Sequence, residues 1–265
     1  MILLRTILKE LLEVKGLLDL VIGEFIKLKR KKITICTIVA ACMFPIPVAI
    51  MVIANSYDMK NIFAMLVQLG DCFMMPLMLG MFAMFFFYME QDLDTMKNMR
   101  LIPVSMGKWL CAKLMVIALV SVIYSIVTIF TSFLIGLVVK DISGIWTNFI
   151  INIIIGILMC AALLPMIALI INQKNNYIVT GILIFIFVMI NSIFIMSITR
   201  IPVWVLPFLP IAAVYRFLLP YTAVEMTIYL EEITLSRQQF VGAMFCTVFV
   251  SLIFIVYGFR KKYSR

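Results

Sequence analysis

Residues 114–139 read Leu-Met-Val-Ile-Ala-Leu-Val-Ser-Val-Ile-Tyr-Ser-Ile-Val-Thr-Ile-Phe-Thr-Ser-Phe-Leu-Ile-Gly-Leu-Val-Val, without a single charge. Crossing the hydrocarbon core of a bilayer takes about 20 consecutive, mostly apolar helical residues. A run of this length fits that requirement and has no natural place in a soluble domain. Five further blocks share its character: Ile33–Ala54, Ile62–Tyr88, Thr147–Ile171, Ile178–Thr199 and Phe240–Phe259. The composition agrees. Of the 265 residues, 65% are hydrophobic and 13% charged, against roughly 45–50% and about 25% in soluble domains. Mean hydropathy is +1.18. Outer-membrane barrels alternate apolar and polar positions along each strand, whereas these blocks are continuous. The expected fold is an all-α polytopic membrane protein, with six spans across residues 33–265.

Charge sets the expected orientation. Six spans place both termini, the 89–113 loop and the 172–177 loop on one side. That side carries 17 of the 22 Lys and Arg residues. By the positive-inside rule, both termini are cytoplasmic. The net charge of +9 is then a topology signal, and nucleic acid is not an expected partner, because the basic residues flank spans and form no groove with stacking aromatics. The chain has no histidine, which removes His-based acid–base catalysis and His-containing metal sites. None of the six cysteines pairs into a C-x-x-C motif, so they read as small apolar packing residues.

Residues 1–32 lack the layout of a cleavable signal peptide. Leu4, Ile7, Leu8, Leu11, Val14, Leu18, Val21, Ile22 and Phe25 recur at helical spacing, with Arg5, Lys9, Glu10, Glu13 and Asp19 between them. This predicts an amphipathic helix in the cytoplasmic interface. The basic cluster Lys27–Lys32 beside span 1 would anchor it to anionic headgroups of membrane lipids. Translation starting near Val14 is an alternative, which would leave residues 1–13 outside the native chain.

Two connections are long. In the 89–113 loop, Glu90, Asp92 and Asp94 precede Lys97 and Arg100. That charge order suits the dipole of a short helix, which Pro103 would end. Ser105 is placed to cap the helix leading into span 3. A plain helical hairpin and a docking site for a cytosolic partner both fit this loop. The 200–239 connection holds four of the nine prolines and an apolar run, Val203–Leu219, broken only by Arg216. It reads as a membrane-hugging segment between spans 5 and 6, either re-entrant or interfacial. Glu225, Glu231 and Glu232 follow it. Within the spans, Asp71, with Gln68, is the ionisable residue, and at that depth it is a functional candidate; a span that starts nearer Gly70 would make it interfacial. Asn152, Asn191 and Thr128 read as interhelical hydrogen-bond partners, and Pro76 and Pro165 as kinks. No G-x-x-x-x-G-K-[ST] phosphate loop is present, so the chain does not bind ATP in that way.

Two motifs, together with the layout, resemble the ABC type-2 permeases. The first is Glu24-Phe25-Ile26-Lys27-Leu28-Lys29-Arg30 before span 1, similar to an E-x-x-K-L-x-R entry signature. The second runs from Glu90 through Asp94-Thr95-Met96-Lys97-Asn98 and Ile102-Pro103-Val104-Ser105 to Lys113, similar to E…G-T-x-K-N…P-V-S…A-K, with Asp94 where glycine is usual. The resemblance implies a non-catalytic half-transporter in the bacterial cell membrane. It would pair with a second permease, identical or not, and with separate ABC ATPase subunits that hold ATP-Mg. The chain itself would bind no cofactor. Glu90, Asp92, Asp94, Lys97, Asn98, Arg100 and Pro103 would form the ATPase-coupling loop, and spans 2 and 5 would line the central interface. Size and style resemble the lantibiotic-immunity and bacitracin-resistance permeases. That implies expulsion of a peptide antibiotic, which Glu225, Glu231 and Glu232 would attract at the outer face. Another substrate (a lipid, polysaccharide or drug) and a non-transporting sensor or scaffold are the alternatives.

Overall fold

The computed structural model describes residues 18–28, 59–92, 106–139, 145–173, 176–197, 201–222 and 232–263, with positions 16, 39, 46, 47, 50 and 51 besides. The described residues are helical with short turns and contain no strand. After the helical 18–28 stretch come α1 (Met59–Met65), a π-helical segment (Leu66–Met74) and α2 (Met75–Asp92). Next are α3 (Met106–Val139), α4 (Ile145–Ala162), α5 (Leu164–Asn172) and α6 (Tyr177–Met196). A 3₁₀ turn (Leu206–Phe208), α7 (Pro210–Thr222) and α8 (Arg237–Tyr263) complete the chain.

Five stretches are long and apolar enough to cross a membrane: Phe63–Met89, Gly107–Thr131, Trp146–Asn172, Tyr177–Met196 and Arg237–Lys261. They coincide with five of the six apolar blocks to within a few residues, except that α3 begins at Met106, well before the block it continues. At 1.5 Å per residue α3 is about 50 Å long, so it overruns a ~30 Å hydrocarbon core. The sixth block, Ile33–Ala54, lies outside the described residues apart from isolated positions.

The Phe63–Met89 stretch is the most enclosed of the five, 61% buried against 28% for Tyr177–Met196. It forms the centre of the bundle, with Leu66, Val67, Leu79, Phe82, Phe86 and Phe87 in the core. Close approach to it depends on small residues. A Cβ on Gly80 would strike the end of Met166 and come within 2.9 Å of Ile184 Cγ2, so Gly80 lets α5 and α6 close on α2. The α3–α4 pair follows the same logic. Ser121 Oγ donates to the Gly156 carbonyl (2.7 Å) and Ser125 Oγ to the Asn152 carbonyl (2.5 Å). A Cβ on Gly156 would lie 3.0 Å from Ser125 Oγ. Small side chains bring the backbones together and hydroxyls then bond across, which is how helices associate without a hydrophobic drive in lipid. On α5, Asn172 Nδ2 donates to the Phe254 carbonyl of α8 (3.2 Å) and sits over Gly258.

Both expected kinks correspond to distortions. Pro76 offers no N–H, and its ring crowds the carbonyl four residues back. Upstream the chain widens into the π-helical segment, where the Met75 N–H reaches the Gly70 carbonyl. Pro165 follows a break at Leu163 (φ −88°, ψ −7°), after which Ile167 N–H resumes the ladder to the Leu163 carbonyl at 3.0 Å. In the 18–28 stretch, Val21, Glu24 and Leu28 turn into the bundle while Leu18, Ile22 and Phe25 face outward.

Candidate functional site

The residues expected to form a coupling loop divide in two. Glu90 and Asp92 lie in the last turn of α2, with side chains outside the described set. Asp94, Lys97, Asn98, Arg100 and Pro103 fall in the 93–105 connection, which is likewise outside it. The anchorage beneath that connection is described. Lys113, on the second turn of α3, is fully buried. Its Nζ donates to the Phe86 carbonyl (3.1 Å) and lies 4.0 Å from the Phe86 ring centroid, 4.8 Å from Trp109 and 5.1 Å from Phe87. A cation beside carbonyls of the last turns of a helix is favoured by the helix dipole, and aromatic faces add cation–π attraction. Trp109 in turn packs on Phe259 of α8, centroids 5.2 Å apart.

Tyr88 fixes the same end of α2 on its other side. Its hydroxyl donates to the Ile170 carbonyl (3.2 Å) and lies 2.7 Å from Thr180 Oγ1, which can donate in return. Its ring meets Tyr177 edge-on at 5.2 Å. The helix that leads into the 93–105 connection is therefore bonded to α3, α5 and α6 within its last two turns. The first motif is also organised: Glu24 is buried and pairs with Lys27 at 2.6 Å, one turn on.

Gln68 and Asp71 share the π-helical segment at the bundle centre. Asp71 is completely buried and Gln68 half-buried. No hydrogen bond joins them among the described residues. Among the described residues neither Asp71 carboxyl oxygen has a hydrogen-bond partner; the Thr128 side chain lies near it, but its hydroxyl donates to the Tyr124 carbonyl of its own helix. A buried carboxyl at a π-helical distortion matches a common setting for functional groups in helices.

At the far end of the bundle, Glu232 is exposed. Glu225 and Glu231 lie outside the described residues, so the three acidic positions are not placed together. The groups that organise this end are different ones. Asn191 Oδ1 accepts from the backbone N–H groups of Ile211 (3.1 Å) and Ala212 (3.3 Å), capping α7 from α6. Arg216, 2% exposed, donates through Nη2 to the carbonyls of Phe194 (3.0 Å) and Ser197 (3.3 Å). It closes the C-terminus of α6, where a cation suits the dipole. Thr247 Oγ1 ties α8 to the Pro207 carbonyl at 3.0 Å. Sequence reasoning did not single out Tyr88 or assign roles to Lys113 and Arg216. The signal available for Arg216 was a lone positive residue within an apolar stretch, and for Lys113 its place at the end of the second motif.

Among the described residues no group of acidic residues and cysteines is placed to hold a metal ion. A comparison with curated proteins gives no match. A family model described as "ABC-2 family transporter protein" matches residues 20–191, more than half of the chain. The match takes in the Glu24–Lys27 pair, the enclosed α2, Lys113 and the α3–α4 pair. The chain belongs to the ABC-2 transporter family.

Proposed function

We propose that this chain is the permease subunit of an ATP-driven exporter that confers immunity or resistance to a lantibiotic or another peptide antibiotic by removing it from the membrane. As an ABC-2 permease it is a multi-pass transmembrane component, and such components work in general with ABC ATPases. The observation that carries the reading is the family match over residues 20–191 in a chain with no phosphate loop. A permease without a nucleotide site needs its free energy from a partner. The 93–105 connection, with Glu90 and Asp92 before it and Lys97 and Arg100 within it, is the coupling element, and the buried Lys113 and Tyr88 contacts give it a firm base. Both termini are cytoplasmic. The peptide substrate is supported by the resemblance in size and style to immunity permeases and by the acidic residues Glu225, Glu231 and Glu232.

The test is affinity purification from native membranes in mild detergent, with mass spectrometry of the co-purifying chains. A stoichiometric soluble ATPase is expected, together with a second permease of the same or different sequence. Reversing Glu90, or neutralising Lys97 and Arg100, should release the ATPase while membrane insertion persists. Wild-type ATPase recovery in those variants would overturn the coupling role. Neutralising the three glutamates should lower protection against the peptide without lowering assembly; unchanged protection would remove the acidic attraction.

A further inference from the structure

A cavity of about 310 Å³ opens between the 201–203 turn, α7 and the start of α8, at the end of the bundle away from the 93–105 connection. Arg216 lines it, and Thr234, Gln239 and Glu232 supply further polar groups. Arg216 is buried and already positioned by the carbonyls of Phe194 and Ser197, so binding there need not reorder a long side chain. The start of α8 contributes as well. Ser236 and Gln239 form a reciprocal cap, Ser236 N–H to Gln239 Oε1 at 3.2 Å and Gln239 N–H to Ser236 Oγ at 3.3 Å. Of this first turn, Gln239 lines the cavity. It sits at the positive end of a 27-residue helix, a setting that favours anions. Glu232, exposed and also lining the cavity, brings the opposite charge.

Depth in the membrane narrows the ligand further. Val203 lines the cavity, and Trp204, the next residue, is 75% exposed, as is Phe208 in the 3₁₀ turn that follows. Exposed aromatic residues beside a polar cleft belong at the membrane–water interface, level with lipid headgroups. The volume is at the low end of small-molecule sites, about 300–1,000 Å³. It suits a headgroup and excludes a whole peptide antibiotic.

We infer that this cavity binds the headgroup of a zwitterionic phospholipid, with the phosphate held by Arg216 and the start of α8 and the ammonium held by Glu232. The inference does not depend on the peptide-export reading. Glu232 is common to both readings, and the lipid test is read with no peptide present.

Native mass spectrometry of the full-length purified chain tests it. The protein is exposed separately to phosphatidylethanolamine, phosphatidylglycerol and diacylglycerol, and in a fourth arm to inorganic phosphate competing with the first lipid. Phosphatidylethanolamine should be retained over both other lipids, and millimolar phosphate should not displace it. Glu232→Gln should abolish the preference over phosphatidylglycerol. Arg216→Gln should cut retention about tenfold or more, as expected for loss of a charge-assisted hydrogen bond. Arg216 also holds the end of α6, so Glu232→Gln keeps the test decisive if Arg216→Gln fails to fold. Retention of diacylglycerol equal to phosphatidylethanolamine, an unchanged lipid preference in Glu232→Gln, or full displacement by inorganic phosphate would each overturn the proposal.

Discussion

Asn191→Ala offers a sharp test of how the 200–239 connection is held. The first turn of α7 has few donors to satisfy. Pro210 has no N–H, and the Ala213 N–H bonds to the Leu209 carbonyl at 2.9 Å. Ile211 and Ala212 therefore need an acceptor from outside the helix, and Asn191 Oδ1 serves both. Both residues are fully buried, so water cannot substitute in the folded state. Leaving one buried donor unmade costs about 1–3 kcal/mol, whereas measured interhelical hydrogen bonds in membranes average only ~0.6 kcal/mol. With two donors at stake, a loss of roughly 2 kcal/mol is expected, or about 30-fold in the unfolding equilibrium. Reversible unfolding of the purified chain in mixed micelles of increasing SDS fraction measures it. Stability of Asn191→Ala within ~0.5 kcal/mol of wild type would refute the capping argument.

Further outcomes follow from the same contacts. Gly258→Ala places a methyl on the Asn172 side-chain amide, whose Cγ would lie 2.6 Å away, and should destabilise by about 1–3 kcal/mol in the same unfolding assay. Removing both Ser121 and Ser125 hydroxyls by alanine should cost about 1 kcal/mol, read as a lower midpoint SDS fraction, with little change if the α3–α4 pair is held by packing alone. Lys113→Met keeps the stem among Phe86, Phe87 and Trp109 but removes the cation and its bond to the Phe86 carbonyl. It should lower transport per ATP hydrolysed while the ATPase still co-purifies, and Lys113→Arg should preserve more of the coupling. An unchanged ratio in Lys113→Met would separate this lysine from the coupling element.

Most of the helical plan was legible because each long block must satisfy its own backbone in lipid, and a helix does this from local sequence alone. That constraint is why the apolar runs at 62–88, 147–171, 178–199 and 240–259 lie within a few residues of the crossing stretches. The ends were less legible. Helix α6 stops at Met196, short of the apolar run through Thr199, because Ser197 turns extended (ψ 135°) and Arg216 takes up the carbonyls of Phe194 and Ser197. The residue that closes the helix is 20 positions further along the chain, beyond the reach of local patterning. By contrast, Asn176 before α6 and the Ser236–Gln239 pair before α8 are local signals. The S-x-x-Q spacing of a capping box was present in the sequence to be read.

The site was legible in a different proportion. Charge order marked the 89–113 loop, yet the residues that fix its base are Tyr88 and Lys113, which lie 25 positions apart in sequence and act on opposite sides of one helix end. Hydropathy treats Tyr88 as part of an apolar block and Lys113 as a flanking charge that belongs at the interface. Their roles arise only once α5 and α6 bring the Ile170 carbonyl and Thr180 against α2, an approach that Gly80 permits by carrying no side chain. The central acid shows the converse. Asp71 stood out because a carboxyl is costly inside a membrane, but its position in a π-helical segment could not be read from its own neighbours. That distortion ends at Met74, two residues before Pro76 in the first turn of α2, so the residue that breaks the helical ladder and the residue that invites a functional reading lie five positions apart. Pro76 had been read for its effect on direction and Asp71 for its charge. The structure makes them one feature: the helix that leads into the 93–105 connection at one end begins, at the other, on the segment that buries the acid.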